Sequence, residues 1–503
     1  MLKFIFAAMS LVKKLASETA IYGLSSIIGR MLNFILTFIY ARTFSTADNG
    51  VLNELYSYVG FLIVIFSYRM ESAFFRYGTP VADRDRTYAT GLISLLGSTL
   101  IITTVLLVFS QPIADLLYYS DHVDYIRWFV LILAFDCLAE LPFARLRLEQ
   151  RPRRFVAGKL LTIGVNVFLN VFWLIFCPWA VKNGMTWVYY VWSPEWGVSS
   201  VFMANLISSV ATMVFLLPQM RGIQAGFDAA LWRKMIFYAA PLIIVQFAGI
   251  VNQMLDRTLL KWLLPGNPTE NLSQVGIYGN NYKLAMLITI FTQAYRYAAE
   301  PFFFRHAGDK NAPEIQADAT KWFTIAATTG MVGVLLFLDL VKYFLGEPYF
   351  SGLKVVPILL MANVMLGVYY NLSVWYRLKD KTMLGAWISI LGAGLTVLLN
   401  VLLVPRIGYV GAAWAALATY TFMCFATWFT SLRYYPVPYP FGRMAFYPGV
   451  GLAFWGLSLW LEPMLPLLAI WAVRVLFFWV FLGLVYLLEI RNRQLKGTSI
   501  EPI

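Results

Sequence analysis

Apolar stretches of roughly 17–25 residues, the length a helix needs to cross the hydrocarbon of a bilayer, follow one another from near the start of this chain to near its end. Fourteen can be placed. The first two lie at about 17–41 and 51–72, the fourth at 125–143, the seventh and eighth at 236–264 and 275–300, and the last two at 444–461 and 466–489. Lipid offers no partner to a backbone amide, so such stretches must be helices. The expectation is an all-α polytopic membrane protein with about 14 transmembrane helices. Composition agrees, because 60% of the 503 residues are hydrophobic, 17% aromatic and only 13% charged, far from the soluble globular range.

A net charge of +13 would suit a nucleic-acid surface, but the basic residues alternate with the spans. The loop Arg145, Arg147, Arg151, Arg153 and Arg154 follows span four, whereas Asp115, Asp121 and Asp124 precede it. This is the positive-inside pattern, and it predicts both termini on the cytoplasmic side, with the excess charge meeting anionic lipid and no nucleic acid. Cys137, Cys177 and Cys424 fall within or at the ends of spans without CxxC spacing, so neither a disulfide framework nor a zinc site is expected. The apolar run Met1–Met9 is too short for a signal peptide, no cleaved signal is expected, and Met9 is an alternative start. No phosphate loop, no His-Glu-x2-His and no soluble domain are found, which excludes a pump carrying its own ATPase.

The chain also repeats itself. Glu71-Ser-Ala-Phe-Phe-Arg76 returns as Glu300-Pro-Phe-Phe-Phe-Arg305, and Gly50-Val51 with Tyr56 returns as Gly276-Ile277 with Tyr282. Each repeat holds six spans, an even number, so the two copies cross the membrane the same way up. The expected organisation is an N-terminal lobe over 1–225 (spans one to six), a C-terminal lobe over 226–435 (spans seven to twelve), and an appended hairpin with a cytoplasmic tail over 436–503. Two lobes of this kind are the usual signature of a transporter that closes around a central site.

A charge near the bilayer centre costs roughly 2.5–3.5 kcal/mol on insertion scales, so each one requires a reason. Ser26, Arg30, Asn33 and Thr37 share one stripe of span one; Gly249, Asn252, Gln253 and Asp256 share one of span seven. Span two carries Arg69 and Glu71, and span eight carries Lys283, Arg296 and Glu300. Internal pairing is one reading: Arg296 with Glu300, Asp256 with Arg257, Arg69 with Asp136 or Glu140. A water-filled cationic cavity is the other, favoured for Arg30 and Lys283. Asp339 and Arg474 read as structural charges near an interface, and Trp187 through Trp196 as an interfacial aromatic belt.

The run Val251-Asn-Gln-Met-Leu-Asp256-Arg257, followed by Val275-Gly-Ile-Tyr278, Tyr282-Lys283 and Glu300-Pro-Phe302, resembles the Wzx-type polysaccharide-export branch of the multidrug/oligosaccharidyl-lipid/polysaccharide exporter superfamily. The resemblance covers essentially the whole chain and implies two six-helix lobes in a V-shaped arrangement. It also implies a substrate, an undecaprenyl-diphosphate-linked oligosaccharide turned from the inner to the outer leaflet of a bacterial cytoplasmic membrane for O-antigen, capsule or exopolysaccharide. The expected cationic cavity is Arg30, Asn33, Arg69, Lys283 and Arg296, with Asp256, Glu71 and Glu300 in coupling or gating. No catalytic residue, metal or cofactor is expected; proton or sodium coupling, and partnership with a polymerase and glycosyltransferases, follow from the resemblance. The competing readings are a peptidoglycan-precursor flippase, a multidrug exporter of the same superfamily, a membrane enzyme acting on the lipid-linked glycan, and a non-transporting scaffold.

Overall fold

The computed structural model describes residues 29, 31–32, 34–220 and 226–491, and among these every regular element is helical. After a short apolar helix α1 (Phe34–Thr43) come α2 (Thr46–Ser67), α3 (Met70–Gly78), α4 (Arg84–Val108), α5 (Val123–Leu148), α6 (Pro152–Val171) and α7 (Ser199–Leu216). They are followed by α8 (Ala229–Leu263), α9 (Pro268–Arg305), α10 (Ala312–Leu336), α11 (Val356–Leu372), α12 (Thr382–Ile407), α13 (Tyr409–Tyr434), α14 (Phe441–Leu461) and α15 (Leu467–Val485).

Among the described residues eleven helices are long and apolar enough to cross a membrane by themselves, against an expectation of about fourteen. The difference has a physical origin. Helices α5 and α9 stand where spans four and eight are expected and have ample length, but each carries several charges along it. Most of span one lies outside the described residues. Span two, expected unbroken over 51–72, is instead two helices, because Tyr68 (φ 31°) and Arg69 (φ 57°) both adopt the left-handed conformation. The Tyr68 hydroxyl lies 2.7 Å from Ser94 Oγ, while Met70 and Phe74 pack completely buried in a core with Tyr88 and Leu92. Two non-glycine residues in this conformation cost about 1–3 kcal/mol each, a cost that surrounding packing must offset.

Local signals set the helix starts. Ser45 caps α2 in a reciprocal box: its Oγ accepts from Asp48 N (3.1 Å), and its own N–H donates to Asp48 Oδ2 (3.2 Å). Asp228 caps α8, where the Leu231 and Ala230 N–H groups and the Arg86 guanidinium hold its carboxyl below the usual range. The cap is therefore charged at neutral pH, and its contribution is lost as pH falls through that lowered value.

Two compact units divide the chain. The first comprises Met1–Gly279 with Ala393–Ala412, and its cores gather Leu52, Leu55, Phe129 and Phe202 at one level and Phe66, Met70, Phe74 and Leu133 at another. The second comprises Asn280–Gly392 with Ala413–Ile503. There α10 packs against α11, α14 and α15 around Val332, Leu336, Tyr447 and Phe481. The α14–α15 hairpin is fastened by charge as well: Glu489 receives Lys321 Nζ (2.8 Å), Arg443 Nη1 (3.2 Å) and the Tyr447 hydroxyl (3.0 Å), and Arg474 bridges Asp339 (2.7 Å) and Glu462 (3.1 Å).

Within the first unit the repeat markers meet. A Cβ placed on Gly50 would run into the Leu272 carbonyl oxygen, and one on Gly276 would run into that of Thr46. Both pairs, Gly50/Gly276 and Thr46/Leu272, are separated by the same 226 positions, so α2 and the start of α9 cross about a local pseudo-twofold axis. Thr46 Oγ1 and Ser273 Oγ, 2.6 Å apart, join the helices beside the crossing. Only glycine permits this approach. Gly50→Ala and Gly276→Ala are each expected to lower stability by about 1–3 kcal/mol, whereas Gly97→Ala, with no neighbour within 4 Å among the described residues, should be near neutral; thermal unfolding of the purified protein in detergent compares the three.

Candidate functional site

One turn beyond Gly50, Glu54 points into the first unit and meets Lys261 from the last turn of α8, and neither side chain has any exposed surface. Lys261 Nζ donates to Glu54 Oε2 (3.0 Å) and to the Leu117 carbonyl (2.6 Å), while its ammonium lies 4.3 Å from the centre of the Tyr119 ring. The Tyr119 hydroxyl donates to the same carboxylate oxygen (2.5 Å), and the Tyr58 hydroxyl donates to Oε1 (3.0 Å). Asn271 closes the group by donating to the carbonyls of Lys261 and Leu264, both at 3.0 Å. The pair is thus satisfied on every side, the condition under which a buried ion pair survives its desolvation cost. Neither residue is singled out by spacing, because Glu54 sits near the start of an apolar stretch, where a carboxylate reads as interfacial.

Asp256 lies one turn before Lys261 toward the chain start and is also buried. It accepts from the Tyr278 hydroxyl of α9 (2.6 Å) and from the Arg257 backbone N–H (2.8 Å), so the expected partnership with Arg257 runs at least through the main chain. Asn252, on the same stripe, accepts from Thr396 Oγ1 of α12 (3.1 Å). The polar face expected of span seven is therefore a set of interhelical hydrogen bonds. Arg30 and Asn33, expected in the cationic cavity, lie outside the described residues.

A second group of charges in the same unit is open rather than sealed. The left-handed turn at Tyr68–Arg69 swings Arg69 toward α5, where it stands in electrostatic reach of Glu140, and its Nε has no hydrogen-bond partner among the described residues. Asp136, one turn before Glu140, is solvent-exposed although it projects among the helices of the unit; it accepts from Ser209 of α7 (2.7 Å). Lys159 of α6 faces both carboxylates, with its ammonium 4.1 Å from the Phe143 ring centre. Two carboxylates and two cations, from two helices and a strained turn, thus share one polar region, in which Asp136 is exposed and the other three are partly buried. Lys159 was not singled out by spacing, because the sequence placed it at the very start of an apolar span.

At the basic ends of the helices, the repeated motif finds a common partner. Glu71 forms an ion pair with Arg147 at the end of α5, and Glu300 forms one with Arg377 Nη1 (2.9 Å) after α11, as well as with Arg296 Nη2 (2.9 Å). Both Arg147 and Arg377 open the same turn. Gln150 and Asp380, each three residues on, share φ 53°, with Arg151 N donating to Leu146 O (2.9 Å) and Lys381 N to Tyr376 O (2.7 Å). The expected Arg296–Glu300 pair is present, and the Arg296 guanidinium also lies 4.3 Å from the Tyr370 ring centre. Lys283, expected in the cavity, donates to Asn280 Oδ1 (3.3 Å) within the second unit. Among the described residues no three His, Cys, Asp or Glu side chains are grouped to hold a metal ion.

Residues 15–307, more than half of the chain, match the model of a family described as polysaccharide biosynthesis protein. The chain belongs to that family. A search of curated protein sequences finds no match. Solved structures share the fold at low identity. The lipid II flippase MurJ in an inward closed conformation is 12% identical with a TM-score of 0.68, covering 92% of this chain and 98% of its own. An inward-facing multidrug resistance MATE transporter of the MOP superfamily is 13% identical with a TM-score of 0.63, covering 80% and 94%. The MATE multidrug transporter DinF-BH is 13% identical with a TM-score of 0.57, covering 84% and 95%. This member of the polysaccharide biosynthesis family therefore shares its fold with a lipid II flippase and with multidrug transporters.

The sealed pair gives a direct test of what holds this family member together. Glu54→Gln and Lys261→Met should each cost about 3–5 kcal/mol, since each strands a buried charge, and the double variant should cost less than the sum. A thermal or denaturant double-mutant cycle in detergent measures the coupling, and strict additivity would show that the two groups do not depend on each other.

Proposed function

We propose that the chain is a flippase that moves an undecaprenyl-diphosphate-linked oligosaccharide from the inner to the outer leaflet of the bacterial cytoplasmic membrane by alternating access of its two repeats. The observation that carries this reading is the charged group of the first unit, where a left-handed turn sets Arg69 toward Glu140 and its guanidinium makes no close ion pair among the described residues. A guanidinium in that condition suits a phosphate oxygen, which offers the acceptor that the chain withholds. Membership of a polysaccharide biosynthesis family and the transporter fold supply the cargo class and the mode of action. The basic helix ends around Arg147 and Arg377 support a cytoplasmic position for those ends, and with it cytoplasmic termini.

In this proposal Arg30, Asn33, Arg69, Lys283 and Arg296 contact the diphosphate and its first sugars. Asp256, Glu71 and Glu300 exchange partners during the cycle, under proton or sodium coupling. The repeats correspond to lobes over 1–225 and 226–435, with 436–503 appended. With the inside negative, each negative charge moved outward is assisted by about 2.3 kcal/mol per 100 mV, so a diphosphate is driven in the required direction.

The test is leaflet accessibility of a labelled undecaprenyl-diphosphate oligosaccharide in proteoliposomes, with the membrane potential imposed in either sense. Wild type is expected to transfer it faster with the potential that draws anions outward. Arg69→Ala should slow transfer by about tenfold or more, as befits a lost charge-assisted phosphate contact. Equal rates for wild type and Arg69→Ala at equal protein levels would remove the cationic-site proposal. Transfer of a peptidoglycan precursor in preference to other glycans would change the pathway assigned.

A further inference from the structure

We infer that the junction of α3 and α8 is a binding site for a lipid phosphate headgroup at the membrane surface. The depression there has a volume of about 640 Å³ and is lined by Tyr77, Ala230, Arg233, Lys234, Phe237 and Tyr238. Arg76, the last residue of the repeated motif, reaches over it with its guanidinium 4.5 Å from the Tyr238 ring centre and 5.9 Å from that of Tyr77. The Tyr77 hydroxyl donates to the Lys234 carbonyl (3.5 Å), which joins the two walls. Arg76, Arg233 and Lys234 are all exposed, and among the described residues none of the three has an ion-pair partner. The acidic side chains nearest in sequence are occupied, Glu71 by Arg147 and Asp228 by Arg86 and by the Ala230 and Leu231 N–H groups.

Three cations without counter-charge on one concave surface call for an anion, and the apolar surroundings say which kind. Phe237 and Arg233 stand one turn apart on α8, and Phe237, with 71% of its surface exposed, continues the helix face from the cations into the apolar part of the span. Phe227 and Trp232 are likewise exposed at the start of the same helix. Cations at the helix start with the exposed Phe237 ring one turn further into the span match a molecule whose phosphate lies at the interface and whose chain lies in hydrocarbon. The volume suffices for a phosphate or diphosphate with one attached polar group. Two lipids carry that chemistry, an anionic phospholipid of the bulk membrane and the diphosphate-linked cargo; the second source rests on the function proposed above, whereas the site itself does not.

The experiment is native mass spectrometry of the purified full-length protein in detergent. It is titrated with phosphatidylglycerol, with undecaprenyl diphosphate lacking glycan, and with zwitterionic phosphatidylethanolamine. Wild type should form a one-to-one adduct with the anionic probes ahead of the zwitterion. Replacing Arg76, Arg233 and Lys234 by Gln should weaken it on the order of fivefold per cation removed. The same loss of charge at Arg151, Arg153 and Arg154 should leave the adduct intact, and Arg76→Lys with Arg233→Lys should preserve it. Displacement of phosphatidylglycerol by undecaprenyl diphosphate at lower concentration would assign the site to the cargo; equal competition would assign it to bulk lipid. Equal weakening by the two Gln triples, or no preference for anionic probes, would overturn the site. Neither result depends on transport, so the site and the flippase reading fail separately. The substituted side chains are exposed, and an unchanged unfolding temperature checks that each variant is folded.

Discussion

Glu54 and Lys261 tie α2 to α8 at a place where neither side chain touches solvent. A lone carboxylate or ammonium there would carry a desolvation cost of several kcal/mol, and the mutual attraction offsets it only if every remaining donor and acceptor is also satisfied. Tyr58, Tyr119 and the Leu117 carbonyl meet that condition. The consequence reaches beyond the pair. Tyr119 and Leu117 belong to the connection between α4 and α5, and Asn271 reaches from α9, so one ion pair fixes four separate pieces of chain in register. The glycine crossing of α2 with α9, one turn away, brings the backbones close enough for this register to hold.

Charge elsewhere in the helices falls into two kinds. At the basic ends, the repeat keeps a device in both copies: a glutamate of the doubled motif, an arginine ending the fourth helix of the repeat, and a left-handed residue three positions later that turns the chain back. Two copies that kept the same ion pair and the same φ have kept a geometry rather than a sequence, since the residues at the turn are Gln150 and Asp380. The group at Arg69, Asp136, Glu140 and Lys159 is of the other kind. Its members are near one another without being locked into close pairs, and Asp136 keeps exposed surface. The first kind holds the frame of the bundle, and the second leaves charged side chains without close partners.

The candidate site was partly legible before the structure. Arg296 with Glu300 was readable because i, i+4 spacing on a helix brings opposite charges together whatever the fold. Arg69 was readable as costly, but its placement was not. Helical periodicity carried span two straight through it, and the break at Tyr68–Arg69 depends on Ser94 from another helix holding the Tyr68 hydroxyl. Glu54 escaped notice for the reason that Lys159 did: a charge at the edge of an apolar stretch looks interfacial until tertiary contacts show what surrounds it. The surface around Arg233 and Lys234 is not legible in the sequence, because its concavity needs α3 beside α8.

By itself the sequence determined that this chain is a bundle of membrane-crossing helices, that short motifs recur within it, and that charges lie deep within it. Those conclusions rest on local quantities: the length of an apolar run, the recurrence of a short motif, and the cost of charge in hydrocarbon, none of which depends on which helix neighbours which. The tertiary structure decided which charges are spent on holding helices together and which stay exposed to a ligand. Glu54 with Lys261, and Glu71 with Arg147, are separated by 207 and 76 residues. A side chain's partner at such distances is fixed by packing, and no periodicity along the chain encodes it.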